Sequence, residues 1–506
     1  MVHMLPRFFL PLLLVQILPC LALAGVDIYE KSPLYRGDAS LPESIQRSDR
    51  YAVTIEQQGH RYDPFVHLSR ARTEGPGSRF VQGRTVSWTD FSLTGTANVS
   101  IKLQNEGVET ATVYPLRHGI HPVVEKGVVS FRIPGPGQYL VTIGGDGFDH
   151  ALAIFANPPE SAPPHPGDAG LVTAKEGTDP DLEARMTGGH TLYFGPGIYY
   201  LDREIVLPAN IRRVYIAGGA VVFGAFQVDH DNVTIDGRGL ISGVRMAHKE
   251  HHMIESSGKV RGTVVEGVTV ADFPYFAVRL LGSDSSIRRV KTIGAWIYNC
   301  DGFVAWARST MRDSFIMAND DAIKLYDSNV SVQDCITWNL TNGASLQLGW
   351  SSLEAHEVHV DGLDVIRAEW RPEGTSMNNG VINLRLGRGG ANTQSRWVFE
   401  NIRVDTPVLR IIDLRMVDPR KNRRAEHHVS DFLFRNIEAR MLVLPDNPNN
   451  LNYILPCSEE YGFTNLRFEN LSINDVPITE ENAETDGRFV IDPMSRPEVS
   501  FTQTRP

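Results

Sequence analysis

The stretches Asp301-Gly302-Phe303-Val304-Ala305-Trp306 and Asp320-Asp321-Ala322-Ile323-Lys324-Leu325 share one shape at an offset of 19 residues, which sets Asp301 over Asp320. The shape returns 22 residues later in Asn342-Gly343-Ala344-Ser345-Leu346-Gln347, and 27 residues earlier Pro274-Tyr275-Phe276-Ala277-Val278-Arg279 foreshadows it. Short apolar strands that recur at such intervals describe a solenoid in which each turn adds one strand to a parallel sheet. Neighbouring strands in a sheet lie about 4.8 Å apart. Asp301, Asp320 and Asp321 would therefore share one patch of surface. Gathering like charges is costly and raises at least one pKa; acid–base catalysis is the usual reason for doing so.

The rest of the chain supports the coil. After residue 168 strand, turn and strand follow in long succession, as in Leu192-Tyr193-Phe194, Gly195-Pro196-Gly197 and Ile198-Tyr199-Tyr200-Leu201. A tetrad then repeats: Phe399-Glu400-Asn401-Ile402, Phe434-Arg435-Asn436-Ile437 and Phe468-Glu469-Asn470-Leu471. Phe with Ile or Leu would fill the interior, and Asn suits a tight turn with hydrogen bonds along the stack. An antiparallel barrel would also repeat strands, but it gives no reason for one tetrad to return in the same sense without hairpin turns. The fold is read as all-β, with residues 169–506 forming a parallel β-helix, right-handed as parallel crossovers are.

Ahead of it stands a different unit. Residues 25–156 hold alternating stretches such as Tyr51-Ala52-Val53-Thr54-Ile55 and Val129-Ser130-Phe131-Arg132-Ile133, the pattern of a small antiparallel β-sandwich. A proline-rich connector, residues 157–168, separates the two. Residues 1–24 read as a secretory signal: Arg7 precedes an apolar run, and Ala22-Leu23-Ala24 offers a small-residue cleavage site. Two prolines break a stretch too short to span a membrane comfortably.

Composition narrows the partners. The 49 basic residues, less Arg7 of the signal, stand against 60 acidic ones, leaving a mature charge of −12. That balance excludes nucleic acid and disfavours polyanionic polymers. Sequons at Asn98, Asn232, Asn329, Asn339 and Asn470 fit export and glycosylation. Outside the signal only Cys300, Cys335 and Cys457 remain, too few for a disulfide scaffold.

The motif Asn299-Cys300-Asp301-Gly302, followed by Asn319-Asp320-Asp321-Ala322-Ile323-Lys324, resembles the signatures of right-handed β-helix glycoside hydrolases. Polygalacturonases share its outline. Glycoside hydrolase family 49, the dextranases and isopullulanases, is the closer match, through Gly294-Ala295-Trp296, the run to Tyr326, Leu348-Gly349-Trp350 and the opening turn Phe194-Gly195-Pro196-Gly197-Ile198-Tyr199. The resemblance implies a β-sandwich before the helix, and it implies Asp320 as the general acid. Asp301 and Asp321 would hold and deprotonate water, giving inversion. Inverting pairs stand about 6.5–9.5 Å apart. Adjacent residues on a strand point to opposite faces, so Asp320 and Asp321 can share a cleft only where a strand begins or kinks.

The rivals are weaker. Calcium also gathers carboxylates, and a lyase would pair it with a basic residue such as Lys324. That lysine is better read as a charge partner or substrate contact. Polygalacturonases carry a Gly-His-Gly step and an Arg-x-Lys motif; this chain has neither at the corresponding places. No metal or cofactor is expected: His251-His252 and His427-His428 diverge as neighbours and are taken for loop histidines. Trp296, Trp306 and Trp350, with Tyr326, Lys324 and Gln347, are candidate sugar contacts. The expectation is a secreted, monomeric hydrolase of neutral α-glucan, with a catalytically silent glucan-binding β-helix as the alternative of another class.

Overall fold

The computed structural model describes residues 25–32, 42–104, 107, 109–144, 147–349, 354–373, 378–384, 392–418, 423–424 and 426–504. The expected signal segment and Trp350 lie outside the described residues. Thirty strands, from Leu171–Thr173 to Val499–Thr502, form one continuously wound sheet. Its inter-coil ladders are parallel; only the short return Val476–Pro477 pairs antiparallel.

The apolar row sets the register. Val278, Phe303, Ile323, Leu346, Ile382 and Ile412 pair in one line up the helix. All are fully buried. The backbone thus follows Phe303 on Ile323, an offset of 20, and Ile323 on Leu346, an offset of 23. The offsets expected from the acidic residues were each one short, and the 27 expected for the earlier coil is 25. The Gly302 N–H donates to the Asp321 carbonyl (2.9 Å) and Phe303 N–H to Ala322 (2.8 Å). Asp321, not Asp320, therefore lies level with Asp301.

The tetrads stack as expected. The rings of Phe399, Phe434, Phe468 and Phe501 lie parallel at 5.1, 4.5 and 4.7 Å between centroids. Asn401, Asn436 and Asn470 turn the chain with φ of 54°, 53° and 56°. Asn436 Nδ2 donates to Asn401 Oδ1 (3.1 Å), and Asn470 Nδ2 donates to Asn436 Oδ1 (3.0 Å).

Residues 25–157 form a six-stranded and a five-stranded sheet. The pairing is antiparallel except between Thr85–Thr94 and Leu152–Asn157, which run parallel. These two strands are distant in sequence, so the chain crosses over between them. Leu152–Asn157 is buried on both faces. Leu152, Ile154 and Ala156 fill the sandwich core, whereas Ala153 and Phe155 belong to the core of the β-helix. Phe155 meets Phe315 at 5.5 Å and Phe148 meets Trp338 edge-on at 5.5 Å. The connector lies against the coil, its Pro158 and Ala162 carbonyls accepting from Arg238 (3.0 Å) and Arg213 (3.2 Å). No helix among the described residues is long and apolar enough to cross a membrane.

Phe434→Ala removes a ring stacked on both sides and should cost about 3–5 kcal/mol. Asn436→Ala should cost about 1–3 kcal/mol by leaving its partners unsatisfied. Denaturant midpoints read both, and a neutral Asn436→Ala would show that the asparagine ladder contributes no stability.

Candidate functional site

Asp301 and Asp320-Asp321 stand in the bends just before the strands Phe303–Ala305 and Ile323–Leu325. Freed from strand alternation, both members of the acidic pair can bring an oxygen near Asp301, though only Asp320 lines the pocket. Gly302 permits the bend because a Cβ there would meet the Ala322 carbonyl at 2.2 Å. Gly343, at φ +81°, is required where the next coil passes the backbone of Asp320, since a Cβ there would fall 1.9 Å from the Asp320 carbonyl carbon. Along these strands and the residue that follows each, alternate side chains face outward. Arg279, Leu281, Val304, Trp306, Lys324 and Tyr326 thereby line a pocket of about 270 Å³ with Tyr275, Phe276, Asn299, Asp301 and Asp320.

Nearest oxygens of Asp301, Asp320 and Asp321 all lie within 4.8 Å of one another. This is closer than the separation of about 6.5–9.5 Å expected for an inverting pair. Such crowding is tolerable because Lys324 lies among them. Its Nζ is 2.8 Å from Asp301 Oδ1 and donates to Asp321 Oδ2. The ring centroids of Phe276 and Tyr326 lie 5.3 and 5.8 Å from the same nitrogen. Burial opposes the charge of Lys324, but Asp301 and Asp321 outweigh it and hold the ammonium well above the usual lysine range. Burial pushes the Asp301 carboxyl well up against the pull of Lys324, and the charges of Asp320 and Asp321 add to that rise.

The three carboxylates differ in access. Asp320 lines the pocket and is 8% exposed. Its Oδ2 accepts from Asn342 Nδ2 (2.8 Å) and Asn299 Nδ2 (3.3 Å), and its Oδ1 accepts from the Asp321 N–H (3.0 Å). Asp301, 3% exposed, also lines the pocket. Asp321 is 0% exposed and lies behind the pocket wall. Its Oδ1 accepts from Ala344 N–H (3.1 Å) and Asn378 Nδ2 (2.8 Å).

The other expected contacts separate. Trp306 and Tyr326 meet edge-on at 6.2 Å on the pocket wall. Trp296 is 1% exposed and donates from Nε1 to Ser69 Oγ (2.7 Å), so it packs at the joint between sandwich and helix rather than in the cleft. Gln347 is buried in the stack instead of lining the pocket, its Nε2 donating to Asn383 Oδ1 at 3.5 Å. His252 stacks on Tyr275 at 4.3 Å, its pKa pushed down to about 3 by burial. His427 and His428 open the strand His427–Met441 rather than a loop. Cys300 and Cys335 are buried free thiols, and burial pushes both up to about 12.

Sequence reasoning missed Tyr275, Phe276 and Arg279 as pocket residues and Asn299, Asn342 and Asn378 as carboxylate partners. The recurrence of Asn beside the acidic bends was a usable signal for Asn299 and Asn342. Asn378 arrives from 57 residues beyond Asp321 and left none.

No protein-family profile matches the chain. Individual proteins do. A dextranase of Arthrobacter globiformis is 25% identical over 413 residues, 65% of this chain and 64% of that protein. The match thus spans a little under two thirds of that relative's length. An isopullulanase of Aspergillus niger is 24% identical over 514 residues, 88% of this chain and 89% of the other. The structure of Dex49A from Penicillium minioluteum superposes with a TM-score of 0.77 at 20% identity, over 91% of this chain and 95% of that one. In architecture the chain is a β-sandwich joined to a parallel β-helix with an acidic cleft on its side. By sequence it is similar to dextranases and to an isopullulanase.

Because Asp301 holds its proton more tightly folded than unfolded, its stabilising contribution is full below about pH 4 and is lost as pH rises through the folded value. Asp301→Asn should therefore melt close to wild type at acid pH and above it toward neutrality. An advantage that shrinks as pH rises would contradict the raised carboxyl.

Proposed function

We propose that the chain is a secreted, endo-acting hydrolase of neutral α-glucan, a dextranase cutting α-1,6 bonds with inversion and acting as a monomer. The observation that carries this reading is the cluster of three carboxylates, two of them paired with one ammonium, of which Asp301 and Asp320 line an aromatic-walled pocket. A sugar ring presents C–H faces to Trp306 and Tyr275, while its hydroxyls find Asn299, Arg279 and the carboxylates.

In this mechanism Asp320 gives its proton to the glycosidic oxygen as the bond to the anomeric carbon breaks. The proton of the attacking water passes to the Asp301 and Asp321 side. Asn342 and Asn299 orient Asp320 toward the pocket. The ammonium of Lys324 already stands against two of the three carboxylates, where a divalent ion would otherwise offset their charge. The close spacing of the oxygens means that the water lies beside the carboxylates rather than midway between two distant ones.

A second reading is isopullulanase action on α-1,4 bonds of pullulan, favoured by the near full-length match to the Aspergillus niger protein. Incubation with dextran and with pullulan, with sizing of products, separates the two. Release of short isomalto-oligosaccharides from dextran, initially as the β-anomer, is the expected result; an initial α-anomer would overturn inversion. Asp320→Asn should lose about 10²–10⁴-fold in activity on the polymer. It should retain far more on an activated glycosyl fluoride, whose leaving group needs no proton. Equal losses on both substrates would remove Asp320 as the acid. Trp306→Ala should raise KM with little change in kcat, whereas Trp296→Ala should lower thermal stability instead.

A further inference from the structure

Asp301 and Asp321 are at one level of adjacent coils and touch the same ammonium, yet their surroundings differ. Asp301 opens on the pocket. Asp321 has no exposed surface, and its oxygens rest against three donors: Ala344 N–H, Asn378 Nδ2 and Lys324 Nζ. These three bonds tie it to the following coil, to Asn378 and to Lys324. It does not line the pocket, whereas Asp301, Lys324 and Asp320 do.

We infer that the two water-side carboxylates have unequal tasks: Asp301 alone takes the proton of the attacking water, and Asp321 is a positioning residue that fixes Lys324 behind it. The inference rests on the hydrolase reading above. The step balances without a further reactant. The water oxygen bonds to the anomeric carbon, the glycosidic C–O bond breaks, one water proton goes to Asp301 and the proton of Asp320 goes to the departing oxygen. Lys324 keeps its protons throughout, held between Asp301 and Asp321 with the rings of Phe276 and Tyr326 beside it.

The charged and titratable groups facing Asp301 come from the two coils that flank its own. They are Tyr275 and Arg279 below it, and Asp320, Asp321, Lys324 and Tyr326 above. Of these, Asp321 is the anion whose removal changes the field at Asp301 without emptying the pocket wall.

Two measurements test the assignment, both with α-isomaltosyl fluoride so that loss of the acid step does not mask the result. In Asp301→Ala, sodium azide fills the space left at the pocket and replaces the activated water. Fluoride release should rise about 10-fold or more, with a β-glycosyl azide as product, and Asp321→Ala should respond at least about 10-fold less. A smaller difference between the two variants overturns the assignment. In Asp321→Asn the acid limb of kcat/KM should move to lower pH, since one anion near Asp301 is gone, with KM near the wild-type value. A limb that stays in place, moves upward or disappears makes Asp321 more than a positioning residue and overturns the proposal. The pH profile decides alone if Asp301→Ala does not fold by circular dichroism. Wild-type protein that attacks neither dextran, pullulan nor the fluoride would defeat the hydrolase reading itself, which is a separate failure.

Discussion

Everything at the cleft depends on the backbone pairing that sets one coil on the next. Once the Gly302 and Phe303 N–H groups bond to the Asp321 and Ala322 carbonyls, the inward row of Phe303 and Ile323 is fixed. With it the outward rows are fixed as well, because a strand alternates its side chains. A slip of one residue would turn Lys324 and Tyr326 into the apolar interior and bring Ile323 to the cleft. Buried Phe303, Ile323 and Leu346 make that slip costly, so the position of the chemistry is a consequence of the core. Gly302 and Gly343 belong to the same constraint. They stand where two coils approach too closely for any side chain.

That pairing creates an electrostatic problem that one residue answers. Three carboxyl groups with oxygens within 4.8 Å repel strongly in a setting shielded from water. Lys324 reaches two of them from the outward row of the same strand that begins after Asp321. One positive charge against three acids leaves an excess of negative charge. The residual repulsion, together with burial, keeps the Asp301 carboxyl raised. Pre-placed charge of this kind has to be supplied by folding, and the apolar stack supplies it.

The solenoid was legible in the sequence because its repeating element is short and chemically distinctive. The Phe and Asn positions of the tetrad pack and bond as their chemistry requires. The register was less legible. Aligning the bend residues, Asp301 on Asp320 and Asp320 on Asn342, gave offsets of 19 and 22, whereas the chain aligns apolar residue on apolar residue at 20 and 23. Side chains in bends can swing; those in the core have one place to go. Trp296 shows the same limit from another side. Its neighbourhood in sequence is that of the acidic coil, but its ring bonds to Ser69, 227 residues earlier, and nothing local reveals that the sandwich docks there. Asn378 reaches Asp321 across a similarly unreadable distance.

The sandwich acts on the cleft from behind. Arg72 donates to the carbonyls of Gly243 (3.1 Å), Met246 (3.2 Å) and Asp272 (2.9 Å), pinning the coil beneath the pocket. Ser69 holds Trp296, and the Pro76 carbonyl accepts from Tyr298 N–H (2.8 Å), one residue before Asn299. Asn299 in turn, at φ +68°, donates to Asp320. The contacts form a continuous path from the sandwich loop to a pocket carboxylate. Amide commitments of this kind also govern two of the sequons. Asn339 is buried with Nδ2 donating to the Asp320 and Ala344 carbonyls, and the Nδ2 of Asn470 is committed to the asparagine ladder. Their amides are parts of the stack, and an attached glycan would break it. Asn98, Asn232 and Asn329 are exposed, so the sequon pattern and the structural use of asparagine separate cleanly by burial.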